Sequence, residues 1–208
     1  MEKIEYNLLD KYAFTDPASG KGRLKRTRAR QAIIVIGTDH IHRIFTLYAW
    51  AGRLPTSRYI KQLIKCCENY SPRIFGVEAN AMQSLFADVV IDEAKKSMKK
   101  LPFIGIHQST KIAKDFRIRS ILEPVINNGR LFTQKRQDEL NAEIRGFPSS
   151  ATKDLVDCLA SAISLLPKRT VKQEENDEIE ALAAYLRKTG APSHYIEKRI
   201  KELKEGAQ

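Results

Sequence analysis

Acidic side chains stand at three points where a buried element would not casually carry them. Asp16 closes Ala13-Phe14-Thr15-Asp16, directly before Pro17. Glu78 closes Ile74-Phe75-Gly76-Val77-Glu78. Asp154 and Asp157 open Asp154-Leu155-Val156-Asp157-Cys158-Leu159-Ala160. In an open α/β sheet, ligands gather outside the carboxyl ends of parallel strands, so two strand-end acids and a helix-start pair can converge there. Residues three apart, such as Asp154 and Asp157, share a helical face. Crowded carboxylates are unfavourable unless cations neutralise them, and hard divalent ions such as Mg2+ and Mn2+ take carboxylate oxygens and waters. Two ions about 4 Å apart activate a water and stabilise the leaving oxygen of a phosphodiester. Taken singly, each acid has a plainer reading. Asp16 starts a turn before Pro17, Asp154 caps its helix, and Asp157 is a first-turn acid favoured by the helix dipole. The joint pattern is what points to chemistry.

Placing these acids falls to an alternation of strands and helices. Tyr12 to Asp16 reads as a short strand ended by Pro17, Ser19 and Gly20. Ala32 to Gly37 is a β-branched run and a strand. His42 to Trp50 pairs back on it as a hairpin. A helix follows from Pro55 and Thr56 to Tyr70, with Tyr59, Ile60, Leu63, Ile64 and Cys67 on a helical period. Ile74 to Glu78 is a buried strand parallel to the first. Further helices are expected over Met82 to Met98, Lys111 to Ile126, Asp138 to Gly146 and Asp154 to Leu166, with strands at Phe103 to His107 and Leu131 to Phe132. Asn127, Asn128 and Gly129 form a C-cap signal. The order predicts an α/β fold with a mixed sheet and helices on both faces. Two domains are expected. Residues 1–167 form the main one, and residues 168–208 a charged helical appendage with helices over Glu178 to Lys188 and Ser193 to Lys204.

Net charge is +11 and directs attention to a polyanionic partner. From Pro167 onward nine Lys/Arg stand against eight Asp/Glu, so the excess belongs to the main domain. Lys21, Arg23, Lys25, Arg26, Arg28 and Arg30 form a run without an acid. Lys111, Lys114 and Arg117 begin a later helix. All nine are candidate contacts to DNA phosphates, against the plainer reading of a solvated surface. No apolar run approaches the roughly 20 residues that a bilayer span needs, and no secretory signal opens the chain. Cys66, Cys67 and Cys158 lack metal-ligand spacing and read as reduced, mostly buried thiols.

An ordered set of short motifs resembles the C-terminal nuclease domain of the phage terminase large subunit. It comprises Asp16-Pro17-Ala18, the strand Ile33 to Ile36, Trp50-Ala51-Gly52-Arg53 and Gly76-Val77-Glu78-Ala79-Asn80. Arg117-Ile118, Leu122-Glu123-Pro124, Gly129, Phe147-Pro148 and Asp154 to Ala160 complete it. The resemblance covers about residues 12 to 166. It implies a ribonuclease H-like fold and a two-metal endonuclease, using Mg2+ or Mn2+, that cuts concatemeric viral double-stranded DNA during packaging. The family's catalytic acids map onto Asp16, Glu78 and the Asp154/Asp157 helix. Where the family often has an acidic or histidine pair just before that helix, this chain has Lys153-Asp154. Either Asp154 or Asp157 can then be the main ligand, and Asp154 is favoured. The implied partners are DNA, the terminase ATPase domain, the portal and the small subunit, in the cytoplasm of the infected bacterial host, with no membrane.

No phosphate-binding loop is present, since Gly20-Lys21-Gly22-Arg23 lacks both spacing and hydroxyl. The chain is therefore expected to be an excised domain, a split gene product or a remnant of the motor rather than the motor itself. Two other functions fit the same residues: a ribonuclease H-like junction resolvase, and a non-catalytic DNA-binding or assembly module.

Overall fold

The computed structural model describes residues 6–17, 30–79, 102–107, 112–167, 179 and 182–206. The chain divides into two compact units, Met1–Leu166 and Pro167–Gln208.

The first unit is built on a six-stranded sheet. Its strands are β1 (Asp10–Asp16), β2 (Gln31–Thr38), β3 (Ile44–Gly52), β4 (Ile74–Glu78), β5 (Phe103–Ile106) and β6 (Leu131–Phe132), in the order β5-β4-β1-β2-β3-β6. Only β2 runs against the rest, antiparallel to both β1 and β3. The pairs β1/β4, β4/β5 and β3/β6 are parallel. The carboxyl ends of β1, β3, β4, β5 and β6 therefore share one edge of the sheet.

Period-two alternation sends the strand side chains to opposite faces. Tyr12, Phe14, Ala32, Ile34 and Ile36 enter one core. That core is completed by α2 (Lys114–Asn127), α3 (Asp138–Gly146) and α4 (Asp154–Ile163). Ala13, Ile33, Val35, Phe75 and Val77 enter the other, against α1 (Thr56–Tyr70). With a helical layer on each side, β2 is buried along Ala32 to Thr38 and reads as a continuous apolar run rather than an alternating one.

α1, α3, β4 and β6 have the bounds expected from sequence. α2 begins at Lys114 rather than Lys111. It ends as the Asn127-Asn128-Gly129 signal predicts: Gly129 adopts φ +63°, and the Arg130 amide closes on the Val125 carbonyl at 2.9 Å. α4 stops at Ile163, three residues short of Leu166. There the amides of Leu165 and Leu166 reach back only three residues, to Ala162 and Ile163, because the residue before a proline is pushed out of the α region and the last turn tightens. The helix expected over Met82 to Met98 lies outside the described residues.

In the second unit residues 182–188 are helical, Gly190 turns the chain at φ +80°, and α5 (Ser193–Gly206) follows. Ile179, Ala183 and Ile196 are buried. Among the described residues no helix is long and apolar enough to cross a membrane. Cys66, Cys67 and Cys158 are free and buried.

Gly76 lies in the strand that ends at Glu78. A Cβ there would stand 2.7 Å from the Phe14 ring and 3.1 Å from the Leu165 side chain, and Phe14 is fully buried and cannot yield. Gly76→Ala should therefore cost about 1–3 kcal/mol by overpacking. Urea unfolding checks this, and an unchanged midpoint would mean that the Phe14 ring and the Leu165 side chain do not close over Gly76 as described.

Candidate functional site

Asp16 and Glu78 end adjacent parallel strands. The register pairs Tyr12 with Ile74 and Thr15 with Val77, so the next step along both strands sets Asp16 beside Glu78. Alternation decides their face. Val77 packs against α1 and Phe14 against α4, which puts both acids on the α4 side of the sheet. The end of β1 is fixed from behind. The buried Thr15 hydroxyl donates to the Ala32 carbonyl at 2.9 Å and also bonds the Tyr59 hydroxyl. Tyr59 donates in turn to the Asp16 carbonyl at 3.3 Å.

Asp154 and Asp157 open α4 on that same side. The Cys158 thiol donates to the Phe14 carbonyl at 3.1 Å, which seats the first turn of α4 against β1. Burial, then the charges of Asp16 and Asp157, push this thiol well above its ordinary value. Asp154 does not cap the helix: the N-cap position is Lys153, which makes no side-chain cap bond. Asp154 accepts instead from Arg30 Nε at 2.8 Å. Asp157 is 5% exposed. It is ion-paired with Lys114 Nζ at 2.8 Å and with Arg117 Nη2, whose other terminal nitrogen donates to the Ser161 hydroxyl at 3.2 Å.

Lys114 ties the acids together electrostatically. Burial pulls its ammonium down, yet the hydrogen bond and charge of Asp157, with Asp16 and Asp154 behind, raise it above its usual value. A positive charge at that point is thus stabilised by three of the four candidate acids. Among the described residues no group of three or more His, Cys, Asp or Glu stands in a metal-holding cluster. The side chains show what separates them: Arg30 draws Asp154 to one side, and Lys114 with Arg117 holds Asp157. The donor chemistry itself, all carboxylate oxygens carried on one side of the sheet, is of the kind that suits a hard divalent ion.

The candidate DNA contacts fare differently from one another. Lys21, Arg23, Lys25, Arg26, Arg28 and Lys111 lie outside the described residues. Arg30, Lys114 and Arg117 are engaged with carboxylates. Exposed cations without an acidic partner among the described residues occur elsewhere, as Arg58, Lys61 and Lys65 along one stripe of α1. Their spacing of three and four was readable as a helical face. A further acid, Glu143 of α3, is 2% exposed and has three donors around it. They are the Thr152 hydroxyl at 2.7 Å, the Val156 amide at 2.9 Å and Arg30 at 3.2 Å. Nothing local in the sequence marks it, because Arg30 is far away in the chain and Thr152 and Val156 both stand beyond the end of its own helix.

The two cations on Asp157 differ in exposure, Lys114 at 50% and Arg117 at 16%. Arg117→Ala strips the more buried partner and should cost about 2–4 kcal/mol, near the range for breaking a buried pair. Lys114→Ala should cost under about 1 kcal/mol, as exposed pairs do. Denaturant melts of the two variants in chelator check the order, and equal losses would show that Asp157 is not buried as described.

No family model and no curated protein matches the chain. Solved structures do. The large terminase of bacteriophage HK97 superposes with a TM-score of 0.56 at 9% identity, over 76% of this chain and 40% of that one. The chain thus spans well under half the length of that protein. The large terminase nuclease of thermophilic phage G20c gives 0.51 at 14% identity, over 76% of this chain and 83% of that one. The P22 large terminase nuclease domain gives 0.50 at 12% identity, over 77% and 81%. At such identities the likeness concerns the fold, which is the ribonuclease H-like fold of phage terminase nuclease domains.

Proposed function

We propose that this chain is a divalent-metal-dependent DNA endonuclease that cuts concatemeric viral double-stranded DNA during genome packaging. One observation carries the reading. Asp16 and Glu78 are adjacent strand-end acids on the α4 face, and the Lys114 ammonium, paired with Asp157, is raised by Asp157, Asp16 and Asp154 together. The names of the superposed structures, a large terminase and two terminase nucleases, support the same class. The ATPase domain, the portal and the small subunit of a packaging motor are the partners this reading brings, with the bacterial cytoplasm as its setting.

Asp16, Glu78, Asp154 and Asp157 are the residues that would hold Mg2+ or Mn2+, in two ions. When bound, the metal supplies an activated water and stabilises the leaving oxygen of the phosphodiester. The chain's own contributions are distinct. Tyr59 and Thr15 hold the end of β1, so the Asp16 carboxylate has a fixed origin. Arg117 and the half-exposed Lys114 together hold the buried Asp157 carboxylate in place.

Asp16→Asn and Glu78→Gln should abolish nicking of a supercoiled plasmid in Mn2+ or Mg2+ and leave the fold intact. Either variant with near wild-type nicking would falsify the assignment. Asp154→Asn should lose more activity than Asp157→Asn if Asp154 is the principal ligand; the reverse order moves that role to Asp157. Four-way junctions assayed beside linear duplex test the resolvase reading, which a clear preference for the junction would favour.

Phosphate contacts carry no base information and weaken as salt rises. Replacing Lys25, Arg26 and Arg28 with Ala should weaken binding to all sequences alike. It should also flatten the plot of log affinity against log salt by roughly 0.9 for each phosphate no longer neutralised. The same triple replacement at Arg58, Lys61 and Lys65 is the matched comparison on α1. Affinity and slope unchanged in the first set but altered in the second would move the DNA path to α1.

A further inference from the structure

The first turn of α4 has a capping problem that its own residues do not solve. Its N-cap is Lys153, which cannot accept a hydrogen bond, and no side chain caps it locally. The Val156 amide stands at the position whose orphaned N–H a capping oxygen ordinarily takes. Here that oxygen is Glu143 Oε2, reaching across from α3 at 2.9 Å. Its other oxygen accepts from the Thr152 hydroxyl at 2.7 Å, just ahead of the helix, and from Arg30 at 3.2 Å. Arg30 then passes its Nε to Asp154 at 2.8 Å and a terminal nitrogen to Glu139.

The consequence falls on Asp154. An aspartate at the start of a helix is usually drawn into capping it. With the cap supplied from α3, the Asp154 carboxylate accepts from Arg30, which Glu143 also holds. One buried carboxylate thus sets both the axis of the acid-bearing turn and the bearing of one acid on it. Such an arrangement exceeds what stability requires, since an N-cap Ser or Asp at position 153 would satisfy the same amide without burying a charge.

We propose that Glu143 is a positioning residue for the metal site, acting through the Val156 amide and through Arg30 on Asp154. This rests on the reading of Asp16, Glu78, Asp154 and Asp157 as a divalent-metal site. Partners that orient metal ligands change metal affinity or activity by about 10-fold to 100-fold when removed. Glu143→Ala loses the cap and the hold on Arg30. Glu143→Gln keeps an acceptor for the Val156 amide but loses the charge that holds Arg30, so it falls between Glu143→Ala and the wild type.

The test is calorimetric titration of the full chain with Mn2+, alongside the Mn2+ midpoint of plasmid nicking. Chelator-treated melts give the stability of each protein. Ile36→Ala, in the core of β2 and fully buried, serves as a destabilised control that removes none of the hydrogen bonds of Glu143 or Arg30. Glu143→Ala should weaken Mn2+ binding by about 10-fold to 100-fold, with nicking recovering toward wild type at saturating Mn2+. Glu143→Gln should shift the midpoint by less, and Ile36→Ala should leave it unchanged. An unshifted midpoint in Glu143→Ala, or an equal shift in Ile36→Ala, overturns the proposal and leaves Glu143 a fold residue. If Glu143→Ala does not fold, Glu143→Gln decides alone, and an unshifted Gln variant overturns it. Wild type and Asp16→Asn keep the two readings apart. A wild type that neither binds Mn2+ nor nicks removes the metal site and this proposal with it. Binding in wild type that Asp16→Asn abolishes leaves the Glu143 result to judge the positioning role alone.

Discussion

Carboxylates brought to one edge of a sheet repel one another, and the arrangement of basic side chains around α4 answers that repulsion. Asp16 and Glu78 are forced together by backbone pairing, because parallel register leaves adjacent strand ends no freedom to part. Asp154 and Asp157 are forced onto the same side by the seating of α4 on β1. In water at this separation two like charges cost little, but the first turn of α4 is largely buried, where the effective dielectric is lower and the cost rises. Lys114 and Arg117 compensate Asp157 directly. Arg30 is the cation that Asp154, Glu139 and Glu143 share. Asp157 is thus fully matched in charge, while the Arg30 cluster holds three acids on one cation.

That difference gives the two helix acids unlike characters. Asp157 is buried and doubly paired, so removing it strands two cations. Asp154 is more exposed and shares its Arg30 partner with two other acids. A short spacing that looks symmetrical in the sequence, two aspartates on one helical face, becomes asymmetric once α2 and α3 are packed against it. Lys114 and Arg117, one turn apart at the start of α2, reach only the inner acid. Arg30, entering from the sheet side, reaches only the outer one.

The elements that carry the acids were legible because their signals are local. Ile-Phe-Gly-Val before Glu78 and the β-branched run of β2 declare strands within a few residues, and the period of α1 declares its buried face. The strand ends were readable too, since Pro17 and the polar residues after it cannot continue β1. What escaped is what depends on distant partners. Arg30 looked like the last member of a basic run, yet its guanidinium is held by acids more than a hundred positions later in the chain. Glu143 is one of several charges on the short helix expected over Asp138 to Gly146. Its burial follows from the close approach of α3 to the start of α4, which no window of sequence contains. The early stop of α4 was only half visible: Pro167 marked the limit, but the tightening of the last turn occurs before it.

The net charge of +11 and the four candidate acids on one side of the sheet act on a polyanion in opposite senses. For a polyanion the basic surface supplies attraction that acts over roughly 10 Å at moderate salt, enough to bring a duplex near without reading its sequence. The acidic edge does the reverse, repelling phosphate at close range. On the proposed reading these are consecutive requirements of one reaction. On that reading the duplex would be held by cations that do not touch the acids. It can approach the acids themselves only when positive charge has been added there. The cations already at the edge cannot meet that need, since Arg30, Arg117 and Lys114 are spent on the carboxylates beside them. On the proposed reading a divalent ion would bring two charges to a place where each side chain brings one, and the acids would then be a condition for admitting phosphate rather than an obstacle to it.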